Sequence, residues 1–208
     1  MDKTPSSQYI DGLKIINEPF VQRENFWNEI SYSWYYLKKR YGIDTCFTVD
    51  FSSTIPLQYT ARGLYIQKAP YEQSILISCV SGSAFVIVVD LRENSVSCLR
   101  QNHIMLKNSD DYRQALYIPR GCAYGFVTLD NNTKLNFKTD NYCKPEFEIT
   151  YNLLDPFFSI KVPYPESSGE KILLSTLLSQ GKLTMSIHDR HAPWVVDIVP
   201  SENYESEI

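Results

Sequence analysis

The chain is poor in the residues that build most metal sites and most general-base sites. It has only 3 histidines among 208 residues. Its 5 cysteines are odd in number, widely spaced and without a C-x-x-C pair, which argues against a zinc knuckle or a full set of disulfides. We therefore expect reduced thiols and a cytoplasmic protein.

Long hydrophobic segments and clustered charges are also missing. No apolar run approaches the roughly 18 residues that cross a bilayer, and the N-terminus lacks the apolar stretch of a secretory signal. The net charge is −4 with no long run of either sign, whereas non-specific nucleic-acid binding needs clustered lysine and arginine. The sequence thus predicts no membrane and no nucleic-acid partner, while a few arginines can still bind a small anionic ligand.

The chain contains instead many short apolar segments that are separated by turn residues. The predicted strands are Tyr9–Phe20, Cys46–Phe51, Arg62–Gln67, Gln73–Val80, Ser83–Leu91, Ser97–Leu106, Gln114–Ile118, Cys122–Leu129 and Thr133–Thr139. Residues Ser52–Thr60 are predicted to connect two strands. Ala84–Leu91 is apolar at consecutive positions, which indicates a strand buried on both faces. Many short strands with little helix predict one all-β domain, either a jelly roll or a small barrel.

Two short segments are predicted to be helical. In Glu29–Tyr41, apolar residues recur at spacings of three and four, the last turn is basic and Gly42 follows, which is typical of an amphipathic helix with a glycine stop. The aromatic residues of this helix are interpreted as packing residues, within the protomer or against a partner, and not as a base-stacking platform. A second short helix is predicted over Leu173–Leu178, and the acidic tail from Pro200 is expected to be disordered.

Several motifs resemble a known enzyme family. They are Arg-Gly-Leu-Tyr-Ile-Gln at Arg62–Gln67, Val-Asp-Leu-Arg at Val89–Arg92, Ile-Pro-Arg-Gly-Cys-Ala-Tyr-Gly-Phe at Ile118–Phe126 and Met-Ser-Ile-His-Asp at Met185–Asp189. In this order they resemble the bacterial dTDP-4-dehydrorhamnose 3,5-epimerases. The resemblance implies a cupin-type jelly roll, or double-stranded β-helix, that forms a homodimer. It further implies a nucleotide-diphosphate sugar, dTDP-linked, as the ligand, with no cofactor and no metal.

The resemblance also implies a ligand site. The residues that match the family's ligand-binding positions, or lie within its motifs, are Arg23, Phe26, Arg62, Gln67, Gln73, Arg120 and Glu148. Arginine suits a diphosphate because its planar guanidinium group presents several donors at once.

The catalytic positions are where this chain departs from the family. The family uses a histidine base that an aspartate orients, and the matching residues here are Tyr65 and Asp189. The lysine and second histidine of the family are replaced by Ile75 and Tyr124, and its proton-donating tyrosine by Phe137. A phenol with a pKa of about 10 is roughly three units too weakly ionised at pH 7 to replace imidazole, and a hydrogen bond to an ionised carboxylate weakens it further. Tyr65, Asp189 and Tyr124 are the candidate catalytic residues, but the standard reaction is not expected by the usual route.

Three functions stay open at this point. The first is an altered epimerisation or isomerisation of a 4-keto sugar, with Tyr65 or Tyr124 as the donor and His188 or His191 as a replacement base. The second is a catalytically inactive relative that binds a sugar nucleotide or a sister enzyme as a regulatory or assembly subunit. The third, a metal-dependent cupin, is disfavoured because such sites need two or three histidines with a carboxylate, and His103 is the only histidine before residue 188.

Overall fold

The fold is built almost entirely from short β-strands. The structure is a computed structural model that describes residues 10–19, 21–23, 26–28, 33–108, 112–164 and 169–195. Its strands are β1 (Lys14–Pro19), β2 (Val21–Arg23), β3 (Phe26–Asn28), β4 (Val49–Ile55), β5 (Thr60–Gln67), β6 (Ile75–Ser81), β7 (Ser83–Asp90), β8 (Gln101–Lys107), β9 (Tyr112–Ile118), β10 (Cys122–Thr128), β11 (Thr133–Thr139), β12 (Glu148–Thr150), β13 (Lys161–Pro163), β14 (Lys171–Leu173) and β15 (Thr184–Met185). Its helices are α1 (Trp34–Tyr41), α2 (Leu174–Ser179) and α3 (Ile187–Arg190), with a 3₁₀ turn at Pro145–Phe147. The all-β prediction is confirmed.

Two antiparallel sheets form the body of the protein. One has the strand order β1-β9-β6-β11-β4, and the other has the order β12-β5-β10-β7-β8 with a short parallel pairing of β15 to β5. Two further strand pairs, β2–β3 and β13–β14, lie outside these sheets. Most neighbouring strands are not consecutive in the chain, which is the connectivity of a jelly roll.

The main core lies between the two sheets. Ile77 and Leu116 from the first sheet pack in one cluster with Val86 and Phe126 from the second. Along β7 every residue from Ala84 to Asp90 is buried, as the consecutive apolar pattern predicts, because the opposite face of this sheet is covered as well. That cover is the C-terminal segment, which adds Leu153, Val162 and Leu177 to a second cluster.

Helix α1 covers the outer face of the first sheet. It packs through Leu37, which clusters with Ile16 and Leu76 of that sheet. The Ser33 hydroxyl caps its first turn by accepting from the Tyr36 amide at 3.3 Å, and Gly42 ends it with a φ of 65°. The predicted glycine stop is therefore confirmed. Tyr35, by contrast, is 65% exposed, and the Nζ atom of Lys39 lies 5.8 Å from the centre of its ring.

Some predicted boundaries were wrong. Strand β4 runs over Val49–Ile55 and not over Cys46–Phe51, so part of the predicted connection Ser52–Thr60 belongs to a strand. Strand β4 lies at a sheet edge and is exposed at most positions, so it lacks the apolar alternation by which a half-buried strand is found. The predicted strand from Ser97 begins only at Gln101. The predicted tail from Pro200 lies outside the described residues. So do both end residues of the predicted strand Tyr9–Phe20 and the first four residues of the predicted helix Glu29–Tyr41.

Candidate functional site

Two glycines let strands β5 and β10 approach closely beneath the site. A Cβ at Gly63, which has a φ of 90°, would lie 2.6 Å from the carbonyl oxygen of Tyr124. A Cβ at Gly125 would lie 2.7 Å from the carbonyl oxygen of Arg62. The register of the two strands shifts at this point, between Tyr124 and Phe126. Because only glycine fits such contacts, the bulge holds Tyr65 and Tyr124 side by side on neighbouring strands.

Arg62, Tyr65 and Asp189 form a connected polar group. The Tyr65 hydroxyl donates to Asp189 Oδ1 at 2.8 Å and accepts from Arg62 Nε at 2.9 Å. Arg62 Nε also lies 3.2 Å from Asp189 Oδ2. Asp189 is fully buried, and Ser186, the N-cap residue of α3, fixes it by donating to Oδ2 at 2.7 Å and accepting from its amide at 3.0 Å. The carboxyl group of Asp189 is thus placed to hold the polar end of the side chain at position 65.

The surroundings of Tyr65 oppose its ionisation. Burial is the largest cause that raises its pKa; the hydrogen bond from Arg62 acts in the other direction, and the charge of Asp189 raises the pKa again, to about 12 in all. Burial alone would lower the pKa of Arg62, but its hydrogen bond with Tyr65 and the negative charges nearby raise it. At neutral pH the Arg62 side chain is therefore a guanidinium and the Tyr65 side chain a neutral phenol.

A narrow inner cavity opens beside Tyr65. Its lining residues come from strands of both sheets and are Tyr65, Ile66, Gln67, Gln73, Ile75, Cys122, Tyr124 and Glu148. Its free volume is about 20 Å³, which is room for about one water molecule. The Tyr124 hydroxyl has no hydrogen-bond partner among the described residues, and burial raises its pKa well above the usual value of a phenol. The cavity therefore offers one neutral, unengaged donor.

Aromatic rings fill the space behind this cavity. The ring of Tyr124 meets that of Tyr65 edge-on at 6.1 Å and that of Phe137 at 6.2 Å. Phe137 stacks in turn on Phe51 at 5.1 Å, with only 11° between the ring planes. We refer to Tyr65, Tyr124, Phe137 and Phe51 as the aromatic row. It runs from the polar group at Asp189 to the edge strand β4, where Phe51 is 45% exposed.

A wider outer groove adjoins the cavity and shares Glu148 with it. The groove has a volume of about 580 Å³, and its lining includes Thr150, His188, His191 and Pro193. The His188 Nε2 atom lies 3.0 Å from the Thr150 hydroxyl, and His191 Nδ1 donates to the carbonyl oxygen of Ile187 at 2.9 Å. Neither imidazole contacts Asp189 among the described hydrogen bonds, although both were considered as bases beside it. The structure thus separates the two histidines from the carboxylate.

The remaining predicted ligand residues divide into three groups. Gln67 and Gln73 line the inner cavity, and the side-chain amide of each has a hydrogen-bond partner. Gln67 Oε1 accepts from the backbone amide of Lys144 at 3.0 Å, and Gln73 Nε2 donates to a backbone carbonyl at 2.8 Å. Arg120 forms a two-donor ion pair with Asp140, at 3.0 and 3.1 Å, and does not line the cavity. The side chains of Arg23 and Phe26 lie outside the described part of the structure.

Two contributors were not predicted as site residues. Ser186 stands three positions before Asp189, and this Ser-x-x-Asp spacing is the capping-box pattern that could have identified it. Cys122 lines the cavity floor, and burial is the main cause that raises its pKa to about 12, which makes it an unreactive thiol. In residues 10–195, leaving out the gaps in the described part, no group of three or more metal-ligating side chains is placed to hold a metal ion.

Comparison with known proteins relates this chain to a known family. The family model for dTDP-4-dehydrorhamnose 3,5-epimerase matches residues 7–197. The epimerase of that name from Escherichia coli K12 is 37% identical over 108 residues, which are 52% of this chain and 56% of the relative. The chain therefore spans about half the length of the first curated relatives that it matches.

Solved structures of the same kind extend the likeness to nearly the whole chain. The dTDP-4-dehydrorhamnose 3,5-epimerase from Elizabethkingia anophelis has a TM-score of 0.77 and 27% identity, covering 95% of this chain and 96% of its own. A dTDP-6-deoxy-D-glucose-3,5-epimerase from Legionella pneumophila, in complex with dTDP-4-keto-L-rhamnose, has a TM-score of 0.75 and 25% identity, covering 93% and 92%. These likenesses confirm the predicted cupin-type jelly roll.

Proposed function

Because the chain belongs to the dTDP-4-dehydrorhamnose 3,5-epimerase family, we propose that it binds a nucleotide-diphosphate sugar beside Arg62. A dTDP-linked sugar is the first candidate, since the Legionella pneumophila relative holds dTDP-4-keto-L-rhamnose. The process it serves is nucleotide-sugar metabolism, either of deoxysugars or of a surface polysaccharide. Tyr65, Tyr124 and Asp189 are the proposed reaction-centre residues, with Gln67, Gln73 and Glu148 around the ligand.

The observation that carries this proposal is that the Arg62 guanidinium is hydrogen-bonded at Nε and open at its two terminal nitrogens. Its Nε atom faces inward, where it is held by Tyr65 and Asp189. Its two terminal nitrogens have no hydrogen-bond partner among the described residues, and the side chain is 48% exposed. A guanidinium that is anchored at one edge and open at the other is suited to grip a diphosphate without losing its own position. Arg23 and Phe26 would add contacts to the same ligand. Arg120 would contact it only after breaking its ion pair with Asp140.

Binding without the standard reaction is the form that the geometry supports best. Proton abstraction next to a keto group needs a base with a pKa near the working pH. Tyr65 occupies that position as a neutral phenol with a pKa of about 12, and Ile75 cannot stabilise a developing oxyanion. The protein would then act as a catalytically inactive, sugar-nucleotide-binding subunit in regulation or assembly.

One observation favours an altered enzymatic reaction as a second candidate. The Tyr124 hydroxyl lines the cavity and has no partner among the described residues, so it is free to donate to the oxygen of a bound 4-keto sugar. Such a donor would stabilise an enolate-like intermediate in an epimerisation or isomerisation. The reaction would still need a base, and His188 and His191 are held at the outer groove by other partners.

Calorimetry tests the binding proposal directly. The purified protein is titrated with dTDP, with dTDP-glucose and with UDP, and its thermal unfolding is followed with the same ligands. We expect heat of binding and a raised melting temperature with at least the dTDP compounds. If no nucleotide gives heat or a thermal shift, the chain has no nucleotide-sugar site and only its fold relates it to the family.

Two accompanying proposals concern assembly and location. We propose a homodimer on the basis of the family resemblance, and light scattering after size-exclusion chromatography distinguishes it from a 24.1 kDa monomer. We also propose a cytoplasmic location, because all five cysteines are free, as is typical of a reducing compartment. Separately, no helix in the described part of the chain is long and apolar enough to span a membrane.

A further inference from the structure

The side chains of Tyr65 and Tyr124 limit which part of a ligand can enter the inner cavity. We propose that Tyr65 and Tyr124 close the inner cavity to a hexose ring, so that the protein recognises the nucleoside diphosphate and gains no affinity from the attached sugar. This inference rests on the proposed function, because it specifies which part of a nucleotide sugar the same site selects. It changes the expected ligand from a sugar nucleotide in particular to a nucleoside diphosphate with or without a sugar.

The first argument is the volume of the cavity. Its free space of about 20 Å³ is lined by Tyr65, Tyr124, Ile75 and Cys122, together with Ile66, Gln67, Gln73 and Glu148. That space holds about one water molecule, whereas a hexosyl group has about ten non-hydrogen atoms and needs several times that volume. Cavities that enclose small ligands measure roughly 300–1,000 Å³. The cavity beside Tyr65 is therefore too small for the ring unless a lining side chain moves.

The second argument is that neither phenol is free to move aside. Tyr65 is fixed at its hydroxyl by Asp189 and Arg62, at 2.8 and 2.9 Å. If the ring swung out, the fully buried Asp189 would lose a hydrogen bond that no solvent molecule can replace easily. Tyr124 is held between the rings of Tyr65 and Phe137. Because each member of the aromatic row supports the next, opening the cavity requires several side chains to shift together.

The third argument is that space for the rest of the ligand remains outside. The outer groove measures about 580 Å³, within the size range of ligand sites, and meets the cavity at Glu148. Arg62 lines neither the cavity nor the groove, so its open edge lies outside both. A nucleoside in the groove and a diphosphate beside Arg62 would therefore be bound without entering the space between the phenols.

The test compares two ligands on the wild-type protein and on variants of Tyr124. Titration calorimetry measures the Kd of dTDP and of dTDP-glucose under identical conditions. We expect the two values to agree within about twofold for the wild type, because a group that stays in solvent adds little binding energy. In Tyr124→Ala the cavity opens, and we expect dTDP-glucose to bind at least about tenfold more tightly than dTDP.

Two further variants separate volume from hydrogen bonding. Tyr124→Phe keeps the ring and should keep the ratio of the two Kd values near one. Tyr35→Ala removes a ring that is 65% exposed on α1 and should change neither Kd. Circular dichroism checks that each variant is folded. The comparison of dTDP with dTDP-glucose on the wild type needs no variant, so it tests the proposal even if a variant fails to fold.

The outcomes also separate this inference from the proposed function. If the wild type binds dTDP-glucose at least tenfold more tightly than dTDP, the sugar does enter the site; the closure is then disproved while nucleotide-sugar binding stands. If Tyr124→Ala is folded and shows no preference for dTDP-glucose, Tyr124 does not exclude the sugar and the inference fails. If the wild type binds neither compound, the proposed function itself fails.

Discussion

If Tyr65 is the base, as its position in the motif suggests, its ionisation decides whether this protein can move a proton from carbon at neutral pH. With a pKa of about 12, only about one phenol in 10⁵ is ionised at pH 7. An ordinary imidazole with a pKa of about 6.5 is mostly in its basic form at that pH. If abstraction depends on the phenolate, the shortage of base alone corresponds to about 7 kcal/mol of barrier. The greater basicity of a phenolate recovers only part of that loss.

The assay follows solvent deuterium entering C3 and C5 of dTDP-4-dehydro-6-deoxyglucose by NMR. We expect no exchange above the protein-free blank at pH 7. We expect a measurable gain when the family residues are restored together in Tyr65→His, Ile75→Lys, Tyr124→His and Phe137→Tyr, because imidazole then meets Asp189 and a cation faces the oxyanion.

The pH profile and one control identify the base if any exchange occurs. Exchange that depends on the Tyr65 phenolate should rise about tenfold per pH unit between pH 7 and 9 and should vanish in Tyr65→Phe. Exchange in the wild type at pH 7 that survives Tyr65→Phe would refute the reasoning about Tyr65. A profile that levels off above pH 6.5 would indicate an imidazole, which is the role considered for His188 and His191.

Three further predictions concern single residues. Arg62→Gln should weaken dTDP binding by about 10- to 100-fold, the worth of a charge-assisted hydrogen-bond pair; calorimetry measures it, and Arg100→Gln, an exposed site, is the control that should bind normally. Asp189→Asn should lower the melting temperature by about 2–8 °C, since roughly 1–2 kcal/mol of charged hydrogen bonding is lost in a chain of this length; an unchanged scan would show that Asp189 does not stabilise the fold. Asp90 is fully buried, and although burial opposes its charge, hydrogen bonds from Arg92 and two serines lower its pKa from 3.8 to about 2. The resulting stabilisation of about 2 kcal/mol is complete only above about pH 5 and is lost as the pH falls through about 2. Acid unfolding monitored by fluorescence should therefore be less steep over that range in Asp90→Asn, and identical slopes would contradict the assignment.

The sequence predicts the interior of this fold better than its edges. The doubly buried strand β7 is evident from its consecutive apolar residues, and Gly42 marks the end of α1 by its left-handed conformation. Strand β4 is misplaced because an exposed edge strand carries no burial pattern, and its pairing with β11 is a contact between distant parts of the chain. Local pattern cannot express such pairing.

The same limit applies to the site. The motif alignment places Tyr65 opposite Asp189, and the structure brings the two within hydrogen-bonding distance. Nothing in the motif containing Arg120 indicates that Asp140, twenty positions further on, accepts both its donors. Nor does any motif reveal that His188 turns to Thr150 while its neighbour Asp189 points inward. Partners of this kind depend on which strands the fold brings together.

The aromatic row also makes the effects of substitutions at its positions depend on one another. Tyr65, Tyr124 and Phe137 lie on three different strands, β5, β10 and β11, yet the centres of neighbouring rings are only 6.1 and 6.2 Å apart. Truncating one of them alone would leave a void beside its neighbours, and a second truncation in the row would then cost less than the first, because the supporting contact is already lost. Substitutions within the row are therefore expected to be non-additive, so a redesign of this cavity has to replace the rings together.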